Sequence, residues 1–517
     1  MTFGPSRGGI APGENTDRTP LLGMEVLRRA EADLSLFEPA IRGFSLWPVL
    51  RFPAWQLISG VSVGDPSGRG RALLRALGRR HGVFTYGPWS FVQRRRLRAH
   101  RFDALFLTLE AHRLARLPEG WWDPYLDDVA EHPALAGRVL RIERRDFAAG
   151  RLRTAASRHL FTDLQLLDRL RHRRPARPQE ARDAAGRTCD FLFNRLRDLG
   201  ATVAPTIEQT FRTHSVAMAS GFYHESLWYE ELLREFKPKV VALVDAYNQH
   251  GLVAAARACS IPVVEFQHGS IHPDHPGYIW FAPERAIRDR LPIPDRIATY
   301  GSYWSDVLTR EGFWKPSDVP AVGSARIDRI RETPRGAAST LRIVFTSQFA
   351  TRRQTIPLLA EFLSLAAKEN LDYTLTIKVH RGERAFVSEY EALGRISTRA
   401  SVVPPYDADT LALIVGADVH VSGWSTCHYE SIALGTPTIV LIFPGPDRVE
   451  GLSGFSSVFR ASTARELLDA VRAVRQMQKT DAATRQQESE RLFRSDAVEH
   501  AVALLQECAA SGSGPRA

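Results

Sequence analysis

The sequence predicts an α/β chain of two doubly wound units, and three observations carry that prediction. Apolar runs of strand length alternate with helical stretches in the first half from about residue 102, and again from 341. The connections within each series are short, and a stretch at 301–340 rich in Pro, Gly and charge separates the two. Strand, helix and strand joined by short connections are the sequence form of a parallel sheet.

In the first series RFDALFLTLEA (101–111) reads as a buried strand after a basic helix. KPKVVALVDA (237–246) is another, followed by a helical stretch through GLVAAARACS, and IPVVEFQHG (261–269) is a further strand ending in polar residues. The second series opens with the strand LRIVFTSQ, the helix RQTIPLLAEFLSLAAKE and the strand DYTLTIKVH. A helix near 384–393, the short strand SVV, a helix from Asp407 and the strand ADVHVSG follow. A helix through STCHYESIAL is then closed by Gly435, with Pro437 barring continuation, before the strand TIVLIF. A last helix is expected at about 484–508.

The organisation expected is a flexible tail over 1–22, a first domain with basic insertions over 23–300 and a connection over 301–340. A second domain over 341–482, a C-terminal helix over 483–509 and a tail over 510–517 complete it. Units joined in this way are expected to face each other across a cleft. No repeat of 20–50 residues is visible, which argues against a solenoid.

Composition narrows the class. With 44% hydrophobic residues in 517, disorder cannot be the main state, and no uninterrupted apolar run of membrane-spanning length occurs. The first twenty residues are polar and Gly/Pro-rich without a secretory pattern, so a cytoplasmic location is expected. The cysteines at 189, 259, 427 and 508 form no CxxC pair, which argues against a zinc ribbon or a disulfide framework. The net charge of +10 arises from 68 Lys+Arg against 58 Asp+Glu and favours anionic partners. Arginine clusters at 93–101, 141–153 and 169–178 read either as solvated faces or as a peripheral docking surface for an anionic membrane leaflet.

In open parallel sheets ligands bind beyond the carboxyl ends of the strands, so the polar residues that follow each apolar run are the candidates. The first group is EFQHGSIHPDHPGY (265–278). Gln267 and His268 come directly off a strand, and Gly269 permits a sharp turn or a close approach. A histidine there suits a general base, since its ordinary pKa lies near neutrality. His272 and His275 follow in a Pro-rich loop that forbids a regular metal-presenting helix. The second group is TIKVHRGER (376–384), where Lys378, His380 and Arg381 place cations at a strand end, fit for a diphosphate. Glu383 is placed to orient His380 or to contact a sugar hydroxyl.

The third group is VSGWSTCHYESIALGTP (421–437). Gly423 ends a strand, Ser425 and Thr426 lie where a helix begins, and Glu430 sits one turn on. That arrangement reads as an anion site with added hydroxyls, or as ordinary helix capping. Ser347 and Gln348 end the first strand of the second series and are placed to line the same region. Asp407 and Asp409 form a bare DxD at a helix start, where capping is the better reading. GWSTC lacks the second glycine of a nucleophile elbow, and neither GxxxxGK[ST] nor GxGxxG occurs, which argues against a serine hydrolase, a P-loop kinase and a standard NAD enzyme.

The ordered set of QHG with a downstream His and GY, SQ, K-x-H-x-G-E and S-T-x-x-x-E-x-x-x-x-G-x-P resembles bacterial capsular-polysaccharide glycosyltransferases of GT-B architecture. FSLWPVLRF (44–52), FDALFLTLEAHR and WWDPYLDDV are similar to that family's N-terminal region, so the resemblance covers about 35–450. It implies two Rossmann-like domains and a nucleotide-activated donor held mainly by the second. Related transferases with a His-Gly motif, including CDP-glycerol polymerases of wall teichoic acid, use that histidine as base, which carries the role to His268. Lys378 and His380 then match the basic motif at the nucleotide phosphates, Ser425 and Thr426 the hydroxyl pair, and Glu430 the carboxylate of the next helix. Where the family usually has K-x-H-P, this chain has Arg381.

The expected activity is transfer of a sugar from a nucleotide donor to a growing capsular or cell-surface polysaccharide or glycolipid. His268 and His380 are the expected catalytic residues, with no metal and no cofactor. Ser347, Gln348, Lys378, Arg381, Glu383, Gly423, Ser425, Thr426 and Glu430 are expected at the donor, and Gln267, Gly269, His272 and His275 at the acceptor or in its loop. Expected partners are the nucleotide sugar, a glycan or lipid-linked acceptor and the inner face of the plasma membrane, without nucleic acid. The alternatives are a CDP-alditol phosphotransferase, a sugar-nucleotide 2-epimerase, a catalytically silent scaffold of the same fold and an arginine-rich nucleic-acid-binding protein.

Overall fold

A computed structural model describes residues 11–12, 23–59, 86–116, 120–145, 159–281, 285–334, 336, 339–443, 449–476 and 482–511. The tails expected over 1–22 and 510–517 lie outside these residues except at 11–12 and 510–511. The chain divides into two compact units. One takes the described residues of Pro5–Thr299, Ser305–Pro320 and Val498–Ala517, the other those of Tyr300–Trp304 and Ala321–Ala497.

The first unit is built on six strands: β1 (Ala104–Leu109), β2 (Val139–Arg144), β3 (His159–Phe161), β4 (Val240–Val244), β5 (Val263–Phe266) and β6 (Arg296–Ala298). They pair in the order β6-β5-β4-β1-β2-β3, and every pairing is parallel. Leu105 stands beside Leu140 on one side and Val241 on the other. Every residue of β1 and β4 is buried, as expected where helices cover both faces of a parallel sheet. Leu105, Leu107, Leu140, Val241 and Leu243 meet Trp228, Leu232 and Leu233 of the helix Pro205–Phe236 in one core.

Strands β2 and β3 are missing from the sequence reading, β2 because Arg141 and Arg144 interrupt its apolar run and β3 because it has only three residues. The cluster at 141–153 was expected to be solvated or to dock on a membrane, yet its described part contains buried β2. Arg141 Nη1 donates to Asp127 Oδ1 at 2.8 Å, Arg94 bridges Asp168 and Glu235, and Arg98 and Arg174 pair with Glu235 and Glu231. A guanidinium fork satisfied by carboxylates is compatible with burial, and these arginines are in large part internal cross-links.

The FSLWPVLRF stretch has an equally structural reason. It forms the helix Trp47–Ile58, and Arg51 within it is 1% exposed. Its guanidinium meets both carboxylate oxygens of Glu31 at 2.5 and 3.1 Å and donates to Ile279 O at 2.6 Å and to Pro276 O. It also lies 4.2 Å over the Trp280 ring, while Trp47 Nε1 donates to Glu31 Oε1 at 2.9 Å. One buried cation thereby ties the N-terminal helices to the loop that follows His268.

The second unit repeats the plan with β7 (Leu341–Thr346), β8 (Tyr373–Lys378), β9 (Ala400–Val403), β10 (Val419–Ser422), β11 (Thr438–Leu441) and β12 (Val458–Ala461). These pair in the order β9-β8-β7-β10-β11-β12, again all parallel. Numbered within each unit, both sheets have the order 3-2-1-4-5-6 of a doubly wound dinucleotide-type fold, so the α/β expectation is met twice. Helices Arg352–Lys368 and Ala464–Gln476 place Leu359, Phe362, Leu468 and Val471 on Ile343, Phe345 and Ile377. The stretch 301–340 carries the helices Ser302–Thr309 and Ala325–Arg331.

The single last helix expected at 483–509 is instead two, Ala482–Leu492 and Ala497–Ser511. Phe493 leaves the helical path to stack on Tyr300 at 4.8 Å, Arg494 N donates to Tyr300 O at 2.8 Å, and Asp496 takes a left-handed φ of 57°. Tertiary packing outweighs helical propensity at this break.

Arg51→Met is expected to destabilise the protein by roughly 3–5 kcal/mol, because it strands the buried Glu31 carboxylate. Adding Glu31→Gln should restore part of the loss in urea unfolding. A single variant as stable as the unaltered protein would refute this role.

Candidate functional site

In this strand order the chain winds in opposite directions on either side of the first and fourth strands, and a crevice opens beyond their carboxyl ends. That point lies between β1 and β4 in the first unit and between β7 and β10 in the second. Most of the residues singled out from the sequence lie near these two edges.

In the first unit Gln267 is buried, and its Nε2 donates to Gly269 O at 2.7 Å, closing the turn that carries His268. A Cβ on Gly269 would meet nothing within 4 Å, so sterics within the chain do not demand glycine there. Gly277 is the constrained one, since its Cβ would lie 2.6 Å from the Tyr247 ring.

His268 is half-buried in an aromatic frame. The Tyr247 hydroxyl lies 3.5 Å from its Nε2 and the Tyr278 hydroxyl 3.4 Å from its Nδ1. The His112 ring stacks on it at 5.5 Å and 19°, and Tyr125 donates to its backbone carbonyl at 3.0 Å. Behind it, Tyr278 donates to Glu265 Oε1 at 2.8 Å, and Ala246 N donates to the same oxygen at 3.1 Å.

Asp245, at a left-handed φ of 60°, accepts from Asn248 Nδ2 at 2.9 and 2.8 Å. Burial lowers the pKa of His268 and the charge of Asp245 raises it in part. The imidazole is thus neutral and able to take a proton, with a carboxylate to stabilise the cation that results. His275 serves the loop: its Nδ1 accepts from Gly277 N at 3.1 Å, its ring packs on Tyr247 and on His272, and burial holds its pKa well below the ordinary value. Among the described residues no group of three His, Cys, Asp or Glu is placed to hold a metal ion.

In the second unit the named residues fall into two clusters. The first is around Ser347, whose buried hydroxyl donates to Glu383 Oε2 and accepts from His380 N at 2.8 Å. Tyr390 donates to Glu383 Oε1 at 2.9 Å. Glu383 is fully buried, and burial raises its pKa. Glu383 is thereby linked through Ser347 to the backbone amide of His380. His380 itself is exposed, with Nδ1 accepting from Gly382 N at 3.1 Å, Arg381 is exposed beside it, and Gln348 is half-buried.

The second cluster surrounds the β10 terminus. A Cβ on Gly423 would lie 3.1 Å from Thr351 Oγ1, so the two crossing segments need a small residue there. Ser425 is buried, and its hydroxyl accepts from Cys427 N at 3.2 Å, which is the capping reading. The half-buried Thr426 differs, because its hydroxyl has no hydrogen-bond partner among the described residues. The helix Cys427–Ala433 that follows has 7 residues and ends at Gly435, φ 68°.

Burial raises the pKa of Glu430 while Arg326 opposes the shift. Burial and Glu430 push the Cys427 thiol up to about 12, so it is no nucleophile at neutral pH. Lys378 is buried and donates to Pro404 O at 2.7 Å; burial lowers its pKa, and Asp407 and Asp409 oppose this. Asp409 caps the helix Thr410–Val415 by accepting from Leu411 N at 2.8 Å, as expected, and also pairs with Arg326 at 3.1 Å.

Arg326 was missed from the sequence, since it lies in the stretch read as a connection. Also missed were the fully buried His420 and His428, the latter hidden inside the STCHYE motif.

No family model matches the chain, and no curated protein does. Solved structures do show likenesses. A UDP-N-acetylglucosamine 2-epimerase is 14% identical over 81% of this chain and 99% of its own, with a TM-score of 0.45. The glycotransferase of kitacinnamycin is 13% identical over 79% and 99%, at 0.46. MurG of Acinetobacter baumannii is 11% identical over 78% and 99%, at 0.42. At these scores the likenesses assign neither substrate nor reaction. No described helix is long and apolar enough to cross a membrane.

Burial pushes the Glu265 carboxyl up to about 8 from 4.5, so between those values the folded chain holds a proton that the unfolded chain has released. Stability therefore falls as pH rises through that window. Glu265→Gln, which can keep both accepted hydrogen bonds, is expected to gain on the unaltered protein by up to about 1.4 kcal/mol per pH unit. Urea unfolding at fixed pH values checks this, and parallel pH profiles would refute the buried proton.

Proposed function

We propose that the chain is a glycosyltransferase that takes a sugar from a nucleotide-activated donor and adds it to a growing capsular or cell-surface polysaccharide or glycolipid. The observation that supports this most is the repeated 3-2-1-4-5-6 strand order, with distinct chemistry at each carboxyl edge. The first unit offers a neutral histidine beside a carboxylate, suited to deprotonating an acceptor hydroxyl. The second offers the Thr426 hydroxyl, which has no hydrogen-bond partner among the described residues, exposed His380 and Arg381, and Arg326, suited to a nucleotide diphosphate.

On this reading His268 takes the proton from the acceptor hydroxyl as that oxygen attacks the anomeric carbon. The bond to the donor phosphate breaks, and the nucleotide leaves as the anion. Cations already fixed in place stabilise that departing charge without reorganising, which is where preorganised electrostatics contribute most. Lys378, Ser425 and Glu383 belong to the supporting layer: each has an internal hydrogen bond that ties it to its loop.

Peripheral contact with an anionic membrane is part of the proposal, and it moves from the arginine clusters as a whole to one patch. Val92 (50% exposed) and Leu170 (66%) are among the few exposed large apolar side chains of the described residues. Near them a cavity of about 400 Å³ is lined by Phe91, Arg94, Arg95, Arg98, Arg171 and His172, together with Asp168 and Glu231, whose carboxylates pair with Arg94 and Arg174. Protruding apolar groups among arginines fit an anionic leaflet. Cosedimentation should show binding to vesicles rich in anionic lipid but not to neutral ones, and Arg95→Glu with Arg171→Glu should abolish it. Equal binding to both vesicle types would exclude this surface.

Transfer is tested with CMP-, UDP-, GDP- and CDP-linked donors and a glycan primer. His268→Ala is expected to lower turnover by about 10²–10⁴-fold while nucleotide affinity is kept. Thr426→Ala should instead weaken nucleotide binding. Phosphorus in the product would indicate alditol phosphate transfer, and donor isomerisation without an acceptor would indicate epimerisation. Full transfer by His268→Ala would remove the base assignment.

A further inference from the structure

Beneath the Gly423 turn runs a continuous file of side chains that neither of the clusters above includes. Thr346 of β7, His420 of β10, Thr438 of β11 and His428 of the helix Cys427–Ala433 are all buried, the last three completely. Thr346 Oγ1 lies 2.9 Å from His420 Nε2, and His420 Nδ1 lies 2.8 Å from Thr438 Oγ1. Thr438 Oγ1 lies 2.6 Å from His428 Nδ1, and His428 Nε2 lies 2.5 Å from Gly423 O. Each imidazole thus has a partner at both nitrogens.

The positions of the protons follow from what each atom can do. A carbonyl oxygen only accepts, so His428 Nε2 must carry hydrogen. If His428 is neutral, its Nδ1 is bare, and the single Thr438 proton points to it. The Thr438 oxygen then accepts from His420 Nδ1–H, which leaves His420 Nε2 bare to accept from Thr346. The opposite polarity would make Thr438 donate to His420 and so force His428 to hold two protons. That places a buried imidazolium with its centroid 5.0 Å from a second buried ring, a costly arrangement in a low-dielectric interior.

We propose that His420 and His428 are held as opposite neutral tautomers, Nδ1–H and Nε2–H, in a one-way hydrogen-bond chain that pins the Gly423 carbonyl. The chain makes both histidines positioning residues: by fixing the carbonyl it fixes the turn 423–426 and the direction of the Thr426 hydroxyl. The tautomer assignment stands on geometry alone. Only its consequence for nucleotide binding rests on the function proposed above.

Long-range 1H–15N correlation spectra of the full chain labelled at histidine decide the first part. Two neutral rings of opposite tautomer are expected near neutral pH, assigned by their loss in His420→Gln and His428→Gln. Two rings of the same tautomer, or an imidazolium at either position, would overturn the proposal. Thr438→Val keeps the side-chain shape but removes the shared hydroxyl, and Thr438→Ser restores it. Backbone amides of 423–427 should exchange about tenfold faster in Thr438→Val, with strand β8 unchanged and Thr438→Ser like the unaltered protein. Unchanged exchange at 423–427, or equal acceleration in β8, would refute the positioning role. Titration with UDP and CDP is read separately. Weaker binding by Thr438→Val extends the effect to the ligand, while failure of every nucleotide to bind the unaltered protein counts against the transferase reading and leaves the spectra to decide the tautomers.

Discussion

The constraint on which the rest of the structure depends is that the central strands of both sheets, β1 and β4 in one and β10 and β11 in the other, are buried along their whole length. A parallel sheet covered by helices has no wet face on which to leave polar side chains. Polar groups near the ends of its strands must therefore be satisfied by one another. The consequences differ in form but share a cause. Arg51 is sandwiched between Glu31 and two loop carbonyls, Glu383 is shared by Ser347 and Tyr390, and Lys378 is spent on a carbonyl. In each case a strongly polar residue holds a loop in one conformation, because the alternative is an unpaired group out of reach of water.

This division separates residues that build the edges from residues that lie at their surface. His268, Thr426, His380 and Arg381 keep at least partial access to solvent. Their neighbours Gln267, Ser347, Ser425 and Glu383 do not. A motif that reads as one catalytic cluster in sequence is thus two layers in space, and the inner layer gives the outer one its geometry.

The fold class was legible because uninterrupted apolar strands such as ALFLTL and TIVL leave few alternatives. Strands β2 and β3 were not, since HLF is short and VLRIER carries two arginines whose carboxylate partners come from elsewhere in the unit. The break before Asp496 was hidden because it depends on a stacking partner almost two hundred residues away. At the candidate site, the rule that ligands bind beyond strand ends picked out His268, His380 and Thr426, which do follow the ends of β5, β8 and β10. It could not tell the Ser425 hydroxyl, engaged in capping, from that of Thr426, which has no partner among the described residues, nor find Arg326. Burial and pairing are properties of the folded neighbourhood, and spacing along one chain does not encode them.

The helix Ala497–Ser511 belongs with the first sheet except for its opening residue, although it follows every strand of the second. Glu499 reaches back to His132 at 3.1 Å. During synthesis the earlier half of the chain must therefore wait, incompletely covered, until the later half has left the ribosome. A chain cut before this helix would lose the buried Ala501, Val502 and Leu505 from the first unit, so that unit is not a consecutive stretch of sequence.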